Sequence, residues 1–235
     1  GAVWLVANEP NRRPGYDVIS ILDDLHDAYA AIKAGDPTAR IMSPPMLNWL
    51  FTCAGCSPGF ARGTDWAEEF RIEYFFRFGE EPPVDIWAIN AYPLDWENLP
   101  TTNPQIVINQ IKGLRTWLNE RPSQAHKPIW VTEIGLHWAW DGLTFDSATC
   151  NGLPYPVGEY HENESNRFLA SIYDWLQDNA DEQNIERWFQ YIAYHELPSC
   201  NTDGYNGVRL FDSPDIGAGL TSAGEQFKRY ASGIE

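Results

Sequence analysis

Basic side chains are scarce in this sequence. Its 235 residues contain 16 Lys and Arg against 33 Asp and Glu, which gives a formal net charge of −17. Since no cluster of Lys and Arg reverses this charge locally, the surface is expected to repel phosphate backbones and anionic lipid. We therefore expect neither nucleic acid nor a membrane as a partner.

Long apolar runs are also missing. No stretch approaches the roughly 18 apolar residues of a membrane-spanning helix, and the first residues lack the basic start and apolar segment of a signal peptide. We expect a soluble chain from which any targeting segment has been removed or was never present. With 43% hydrophobic residues and 11 each of Trp, Tyr and Phe, the chain can bury a substantial core. Its length is that of one domain, residues 1–235.

Only four cysteines occur, Cys53, Cys56, Cys150 and Cys200, and they allow three disulfide connectivities. A redox motif is disfavoured because residues 57–59 are Ser-Pro-Gly rather than the start of a helix. A four-cysteine zinc site would need a second closely spaced pair. The pairing we expect is two disulfides, Cys53–Cys56 and Cys150–Cys200. An extracellular or periplasmic enzyme is the favoured interpretation.

Short apolar runs alternate with amphipathic stretches, a pattern typical of a parallel sheet with crossover helices. The predicted strands are Val3–Ala7, Arg40–Ser43, Val84–Ile89, Pro128–Val131 and Trp188–Tyr194. The predicted helices cover Val18–Ile32, a segment ending near Phe78, a segment capped by Asn103 and ending near Leu118, Glu162–Leu176 and a last segment that begins with a capping box at Ser222. A long loop is predicted over Pro44–Gly63. Five β/α units cannot by themselves close an eight-stranded barrel.

Two glutamates directly follow predicted strands. Glu9 lies in an Asn-Glu-Pro motif and Glu133 in a Thr-Glu-Ile-Gly motif. Because the carboxyl ends of parallel strands open on one face, residues far apart in sequence can converge there. Either glutamate alone is more simply explained as a solvated strand end. The pair, preceded by Asn8 and Thr132, favours the paired carboxyl groups that glycoside hydrolysis requires.

With these motifs the sequence resembles the retaining clan-A glycoside hydrolases, TIM-barrel enzymes whose fourth strand ends in Asn-Glu-Pro and whose seventh often ends in Thr-Glu-x-Gly. The matching segments are Trp4–Asn11 and Trp130–Gly135, while Asn90–Tyr92 stands where the clan often has His-x-Tyr and Gly207–Thr221 resembles the usual end of these barrels. The resemblance implies an α/β fold of the (β/α)8 TIM-barrel type. This chain would supply about five units, strands four to eight. A missing N-terminal segment or a second chain would supply the first three.

The resemblance also implies roles for individual residues. Glu9 would be the general acid/base and Glu133 the nucleophile. Asn8 would hydrogen-bond the sugar 2-hydroxyl, and Tyr92 would orient Glu133 and hold it ionised. Further substrate-binding residues are expected at Asn90, Trp138, Tyr194 and His195. Asn90 stands in place of a frequent histidine, and residues 194–195 stand where the clan often has a tryptophan.

The function expected from these motifs and from the resemblance is double-displacement hydrolysis of a neutral, β-linked oligo- or polysaccharide. We expect no metal or other cofactor, because no HExxH motif or paired-ligand spacing occurs. A non-catalytic carbohydrate-binding or scaffold protein on the same fold is the alternative.

Overall fold

The computed structural model describes residues 1–12, 18–52, 61–94, 101–136, 162–191, 210–211 and 217–232. The chain divides into two compact units. The first unit comprises Gly1–Ala91, Asn109–Glu133 and Asn179–Phe189. The second unit comprises Tyr92–Ile108, Ile134–Asp178 and Gln190–Glu235.

Strands and helices alternate along the chain. The strands are β1 Val3–Leu5, β2 Arg40–Met42, β3 Met46–Leu47, β4 Trp87–Ala91, β5 Ile129–Ile134 and β6 Ile185–Gln190. The helices are α1 Val18–Gly35, α2 Gly63–Phe78, α3 Pro104–Asn119, α4 Glu162–Asn179 and α5 Ser222–Ser232, and a 3-10 helix covers Pro10–Arg12. None of the helices in the described ranges combines the length and apolar character needed to cross a membrane. The predicted α/β class, with parallel strand pairing, is confirmed.

Pairing of the strands places the sequence motifs in register. β1 runs parallel to β2, with Leu5 opposite Met42, and β3 runs parallel to β4, with Leu47 opposite Asn90. The four-stranded sheet has the order β3-β4-β5-β6. Between β2 and β3 the chain stays beside the segment leading into β4, because the Ser43 N–H donates to the Ile86 carbonyl at 2.9 Å.

The predicted loop over Pro44–Gly63 is wrong at its start, where Met46 and Leu47 form β3. Pro44 and Pro45 lack N–H groups and interrupt the ladder between β2 and β3. The two-residue strand that results is too short to show an alternating pattern in the sequence.

Other strand ends differ from the prediction because backbone pairing, rather than apolar content, decides them. The first strand ends at Leu5 and the third runs over Trp87–Ala91. The fourth predicted strand continues to Ile134, so Thr132 and Glu133 lie inside β5 rather than beyond it. The last predicted strand begins earlier, at Ile185.

Two helix starts in the second unit test the predicted caps. The Asn103 side chain accepts a hydrogen bond from the Gln105 N–H at 3.0 Å, which confirms the cap of α3. At α5 the cap is Thr221, whose hydroxyl accepts from the Gly224 N–H at 3.0 Å, one residue before the predicted Ser222. The shift follows from the pairing of the Thr221 N–H with the Leu210 carbonyl at 3.0 Å, which fixes where the chain enters the helix.

Three tryptophans of the first unit's core pack together between the sheet and α3. The Trp117 ring makes edge contacts with those of Trp49 and Trp87, at centroid distances of 5.7 and 4.9 Å. Trp49 and Trp87 also have polar partners. The Trp49 backbone N–H donates to the Gln110 side-chain oxygen at 2.9 Å, and the Trp87 indole N–H donates to the Gln124 side-chain oxygen at 3.0 Å. These hydrogen bonds satisfy polar groups that would otherwise be costly to bury.

In the second unit, tyrosines join α4 to α5. The rings of Tyr173 and Tyr230 lie 4.8 Å apart between centroids, and the Tyr230 hydroxyl donates to the Asp174 carboxylate at 2.6 Å. Burial, reinforced by that hydrogen bond, raises the pKa of Tyr230 to about 12. This hydroxyl therefore stays protonated, as a donor to Asp174 must.

Glycine at position 113 is required by the core rather than by the helix. A Cβ atom there would lie 2.8 Å from Cδ1 of the buried Trp49. We predict that Gly113→Ala lowers the free energy of unfolding by about 1–3 kcal/mol, although the same change in an open helix stabilises by about 1 kcal/mol. The matched control is Gly35→Ala at the end of α1, where no atom lies within 4 Å. Urea unfolding of both variants checks this, and a Gly113→Ala variant as stable as the wild type would contradict it.

A carboxylate on α2 anchors α3 through several donors. Glu68 accepts hydrogen bonds from Arg121 at 2.7 Å, from Arg71 at 3.0 Å and from the Trp117 indole at 3.1 Å. Burial by itself would raise the pKa of Glu68, but the hydrogen bond from Arg71 and the charge of Arg121 outweigh it and hold the pKa below its usual value.

Because the folded-state pKa of Glu68 is lowered, its contribution to stability is present above the pKa of an unfolded Glu, about 4.3, and is lost as the pH falls through the folded value. We predict that Glu68→Gln destabilises the protein at neutral pH and that the difference from wild type shrinks below about pH 4. Denaturant midpoints across pH measure this, with the exposed neighbour Glu69→Gln as control. A difference independent of pH would contradict the charge-based explanation.

Candidate active site

The backbone of Glu9 is held in an unusual conformation just beyond β1. Its φ angle is +49°, in the left-handed region that residues other than glycine rarely adopt. The Glu9 N–H donates to the Pro45 carbonyl at 3.0 Å, and the Glu9 carbonyl accepts from the Arg12 N–H at 3.1 Å. These bonds fix Glu9 at the start of the 3-10 helix.

Asn11 ties the same turn to β3. Its side-chain amide donates to the Leu47 carbonyl at 2.7 Å and to the Ala61 carbonyl at 2.9 Å, and its oxygen accepts from the Leu47 N–H at 3.0 Å. Asn11 is 6% exposed. Every polar atom of this side chain is therefore used to attach the Asn-Glu-Pro-Asn segment to the neighbouring strand.

The carboxyl group of Glu9 is buried against Asn90 of β4. Glu9 is 8% exposed and Asn90 is fully buried. The Asn90 amide nitrogen donates to Glu9 Oε1 at 3.0 Å and to Asn8 Oδ1 at 3.2 Å. The other carboxylate oxygen lies 3.5 Å from the Arg12 guanidinium, whose side chain is 53% exposed. Asn90 is thus the buried donor that holds Glu9, and Arg12 is a weaker, solvated partner.

A hydroxyl on β5 completes this polar cluster. Thr132 Oγ1 donates to Asn90 Oδ1 at 2.7 Å and lies 3.1 Å from the Ile89 carbonyl. Hydrogen bonds therefore run from β5 through β4 to Asn8 and Glu9 after β1. The sequence predicts Asn8, Glu9 and Asn90 as site residues but assigns no role to Thr132 or Asn11. Both stand within the quoted motifs, which was the only signal that could have pointed to them.

Glu133 occupies the penultimate position of β5 and is partly exposed. It is adjacent in sequence to Thr132, and both lie in the first unit with Glu9 and Asn90. The structure thus brings Asn8, Glu9 and Asn90 into direct contact and places Glu133 next along the strand that carries the hydroxyl.

Tyr92 directly follows β4 and is 2% exposed. In the second unit its ring lies 6.4 Å from that of Tyr191 between centroids. A Cβ atom on Gly135 would be 2.9 Å from Tyr92 Cε1, so the glycine of the Thr-Glu-x-Gly motif lets this ring approach the backbone. The predicted role of Tyr92 in orienting Glu133 stays a prediction.

Several predicted residues lie outside the described ranges. They are Trp138, Tyr194, His195 and the four cysteines Cys53, Cys56, Cys150 and Cys200. Their roles in substrate binding and disulfide formation, and the extracellular or periplasmic location inferred from the cysteines, stay predictions. Within the residues that the structure describes, no group of three or more His, Cys, Asp and Glu side chains is arranged to hold a metal ion.

Comparison with known families identifies the chain. The sequence model of a family described as the glycosyl hydrolase catalytic core matches residues 24–227. The chain belongs to this family. The match includes Asn90, Thr132 and Glu133, whereas Asn8 and Glu9 precede it. No curated protein sequence matches the chain significantly.

Solved structures similar to this glycosyl hydrolase catalytic core establish its fold. A glucosidase from Croceicoccus marinus superposes with a TM-score of 0.64 at 12% identity, over 97% of this chain and 40% of its own. A GH53 catalytic domain from Ignisphaera aggregans gives 0.57 at 15% identity, over 96% and 58%. A GH128 (subgroup I) endo-β-1,3-glucanase from Amycolatopsis mediterranei gives 0.52 at 20% identity, over 97% and 72%. The chain thus spans two fifths to about seven tenths of the length of these proteins.

The contact between Asn90 and Glu9 predicts a stability effect that does not depend on any substrate. We predict that Asn90→Leu, which keeps the volume but removes the amide, lowers the free energy of unfolding by about 1–3 kcal/mol, because the buried groups of Glu9 and Thr132 lose their partner. The control is Asn163→Leu on the exposed face of α4, where the change should stay within about 0.5 kcal/mol. Urea unfolding at pH 7 compares the two, and equal stabilities would show that Asn90 does not hold Glu9.

Proposed function

We propose that this chain carries the catalytic residues of a retaining glycoside hydrolase that acts on a neutral, β-linked glycan. The observation that carries the proposal is the buried Glu9 carboxyl group, held by Asn90 beyond the end of β1 in a chain that belongs to the glycosyl hydrolase catalytic core family. A glutamate that is 8% exposed and has a left-handed backbone conformation is a costly arrangement, and such arrangements cluster at functional sites.

Glu9 and Glu133 take the two carboxyl roles of double displacement. In the first step the Glu133 carboxylate attacks the anomeric carbon while Glu9 gives its proton to the departing glycosidic oxygen, leaving a covalent glycosyl ester on Glu133. In the second step Glu9, now ionised, takes a proton from water as that water attacks the anomeric carbon and releases Glu133. Asn8, which accepts a hydrogen bond from the Asn90 amide, takes the role of hydrogen-bonding the sugar 2-hydroxyl.

The substrate class follows from charge and from the similar structures. A net charge of −17 disfavours anionic polymers. One similar structure is an endo-β-1,3-glucanase and others are fungal β-1,4-galactanases, which supports a neutral β-glycan as the substrate class.

Completion of the barrel by further strands remains part of the proposal. An eight-stranded β/α barrel closes on itself, whereas β1 and β6 end their sheets among the described residues. Exposed apolar side chains lie on these strands, with Trp4 49%, Leu5 45% and Phe189 43% exposed. Such surface favours pairing with additional β/α units, from an N-terminal segment or a second chain.

The mechanism predicts different losses of activity when each of the two glutamates is replaced. We expect Glu133→Ala to abolish turnover, because no covalent ester can form. We expect Glu9→Gln to lower kcat by about 10²–10⁴-fold, most strongly for glycosides with poor leaving groups that need protonation. The exposed Glu69→Gln serves as the matched control and should keep full activity. Release of reducing sugar from a panel of β-glucans, galactans, mannans and xylans, together with aryl β-glycosides, provides the measurement.

The anomer of the first-formed product decides the stereochemistry. A β-anomer detected by proton NMR before mutarotation supports retention, whereas an α-anomer would indicate inversion. Full activity of either glutamate variant would refute the assignment of roles. Binding of a glycan in calorimetric titration without release of any sugar would instead support the non-catalytic carbohydrate-binding alternative.

A further inference from the structure

The orientation of the Asn90 amide follows from its neighbours. An ionised carboxylate can only accept hydrogen bonds, so the Asn90 nitrogen must face Glu9, as it does at 3.0 Å. Its oxygen then faces Thr132, and the hydroxyl must donate to it, at 2.7 Å. When Glu9 is ionised, its carboxylate, both polar atoms of the Asn90 amide and the Thr132 hydroxyl therefore each have a hydrogen-bond partner.

Thr132 has a second acceptor within reach. Its Oγ1 lies 3.1 Å from the Ile89 carbonyl as well as 2.7 Å from Asn90 Oδ1, yet a hydroxyl has one proton to donate. If the hydroxyl proton turns to Ile89, Oγ1 is available to accept a hydrogen bond from Asn90. The same hydroxyl can therefore match either orientation of the amide.

The reversed orientation suits a Glu9 that carries its proton on Oε1, the carboxyl oxygen that faces Asn90. That O–H requires an acceptor, and reversal of the amide brings Asn90 Oδ1 to face it. The Asn90 nitrogen then donates to Thr132 Oγ1, and Thr132 donates to the Ile89 carbonyl. Asn8 is also a primary amide, so reversal of its own side chain would turn its nitrogen toward Asn90 Oδ1. Arg12 is the charged side chain in described contact with Glu9, and it keeps the same role as a donor in both states.

We propose that Thr132 is a positioning residue that lets the Asn90 amide reverse as Glu9 gains and loses its proton, so that Glu9 is hydrogen-bonded in both protonation states. The catalytic meaning of this reversal rests on the proposed function, in which Glu9 is an acid in one step and a base in the next. The reversal itself concerns only buried hydrogen bonds. It can therefore be measured without a substrate.

The direct test follows the side-chain amide resonances of Asn90 by ¹H–¹⁵N NMR during a pH titration. The signal is assigned by its loss in Asn90→Leu. We expect it to shift with pH in the wild type and to be insensitive to pH in Glu9→Gln, where no proton is exchanged. In Thr132→Val, which keeps the shape but removes the hydroxyl, we expect the pH-linked shift to be lost. In Thr132→Ser, which keeps the hydroxyl, it should persist.

A kinetic test uses the same variants with whichever glycan the wild type hydrolyses. We expect Thr132→Val to lower kcat about tenfold with little change in KM, because the lost hydrogen bond affects Glu9 rather than substrate binding. Thr132→Ser should restore kcat to within about twofold. Thr116→Val, which removes an exposed hydroxyl on α3, is the matched control and should match the wild type.

The NMR and kinetic experiments test the role of Thr132 separately from the proposed glycosidase function. An Asn90 signal that titrates equally in wild type and Thr132→Val would overturn it, as would a wild-type signal that does not respond to pH. Equal loss of kcat in Thr132→Val and Thr132→Ser would also overturn it, because the hydroxyl would then not be the group that matters. If the wild type hydrolyses no glycan, the proposed function fails, while the NMR titration still decides the role of Thr132. If Thr132→Val does not fold, Thr132→Ala, which also lacks the hydroxyl, takes its place, and a pH-linked shift that persists unchanged in Thr132→Ala would overturn the proposal.

Discussion

A buried carboxyl group must be given hydrogen-bond donors, and the contact between Glu9 and Asn90 meets that requirement here. Removing an ionised carboxylate from water costs several kcal/mol unless donors replace the solvent. The Asn90 amide, fully buried on β4, supplies one at 3.0 Å. The two residues are 81 positions apart in sequence. Their contact therefore depends on the register that places Asn90 opposite Leu47 of β3, next to the turn that carries Glu9.

The break between β2 and β3 supports the same contact. Pro44 and Pro45 cannot donate to a ladder, so the strand is interrupted there, and the Pro45 carbonyl accepts the Glu9 N–H instead. Asn11 adds hydrogen bonds to both backbone groups of Leu47. Together these bonds offset the cost of a left-handed conformation at Glu9, of the order of 1–2 kcal/mol for a residue with a Cβ atom. The turn is thereby rigid at the position where the proposed mechanism needs a carboxyl group with a fixed direction.

The polar cluster also explains how one carboxyl group could serve as both acid and base in the proposed reaction. Asn90 and Thr132 each carry a donor and an acceptor, whereas a lysine or arginine in place of Asn90 would favour only the ionised form of Glu9. An amide has no charge of its own to titrate, so the protonation state of this cluster is that of Glu9 alone. The family match covers Asn90 and Thr132 but begins after Glu9. Glu9 is linked to these two residues by its hydrogen bond with Asn90 in the structure.

Local sequence determined the helices, the α/β class and the candidate glutamates, because each depends on the spacing of apolar residues or on a short motif. The apolar period of α1, the Asn103 cap and the Asn-Glu-Pro motif are examples. Tertiary structure alone decided β3, the inclusion of Glu133 within β5, and the hydrogen bonds from Thr132 through Asn90 to Glu9. A two-residue strand shows no period, and Thr132 and Asn90 are 42 positions apart. The composition and periodicity of the sequence indicate which side chains are buried. Only the register of the paired strands decides which buried polar side chains come into contact.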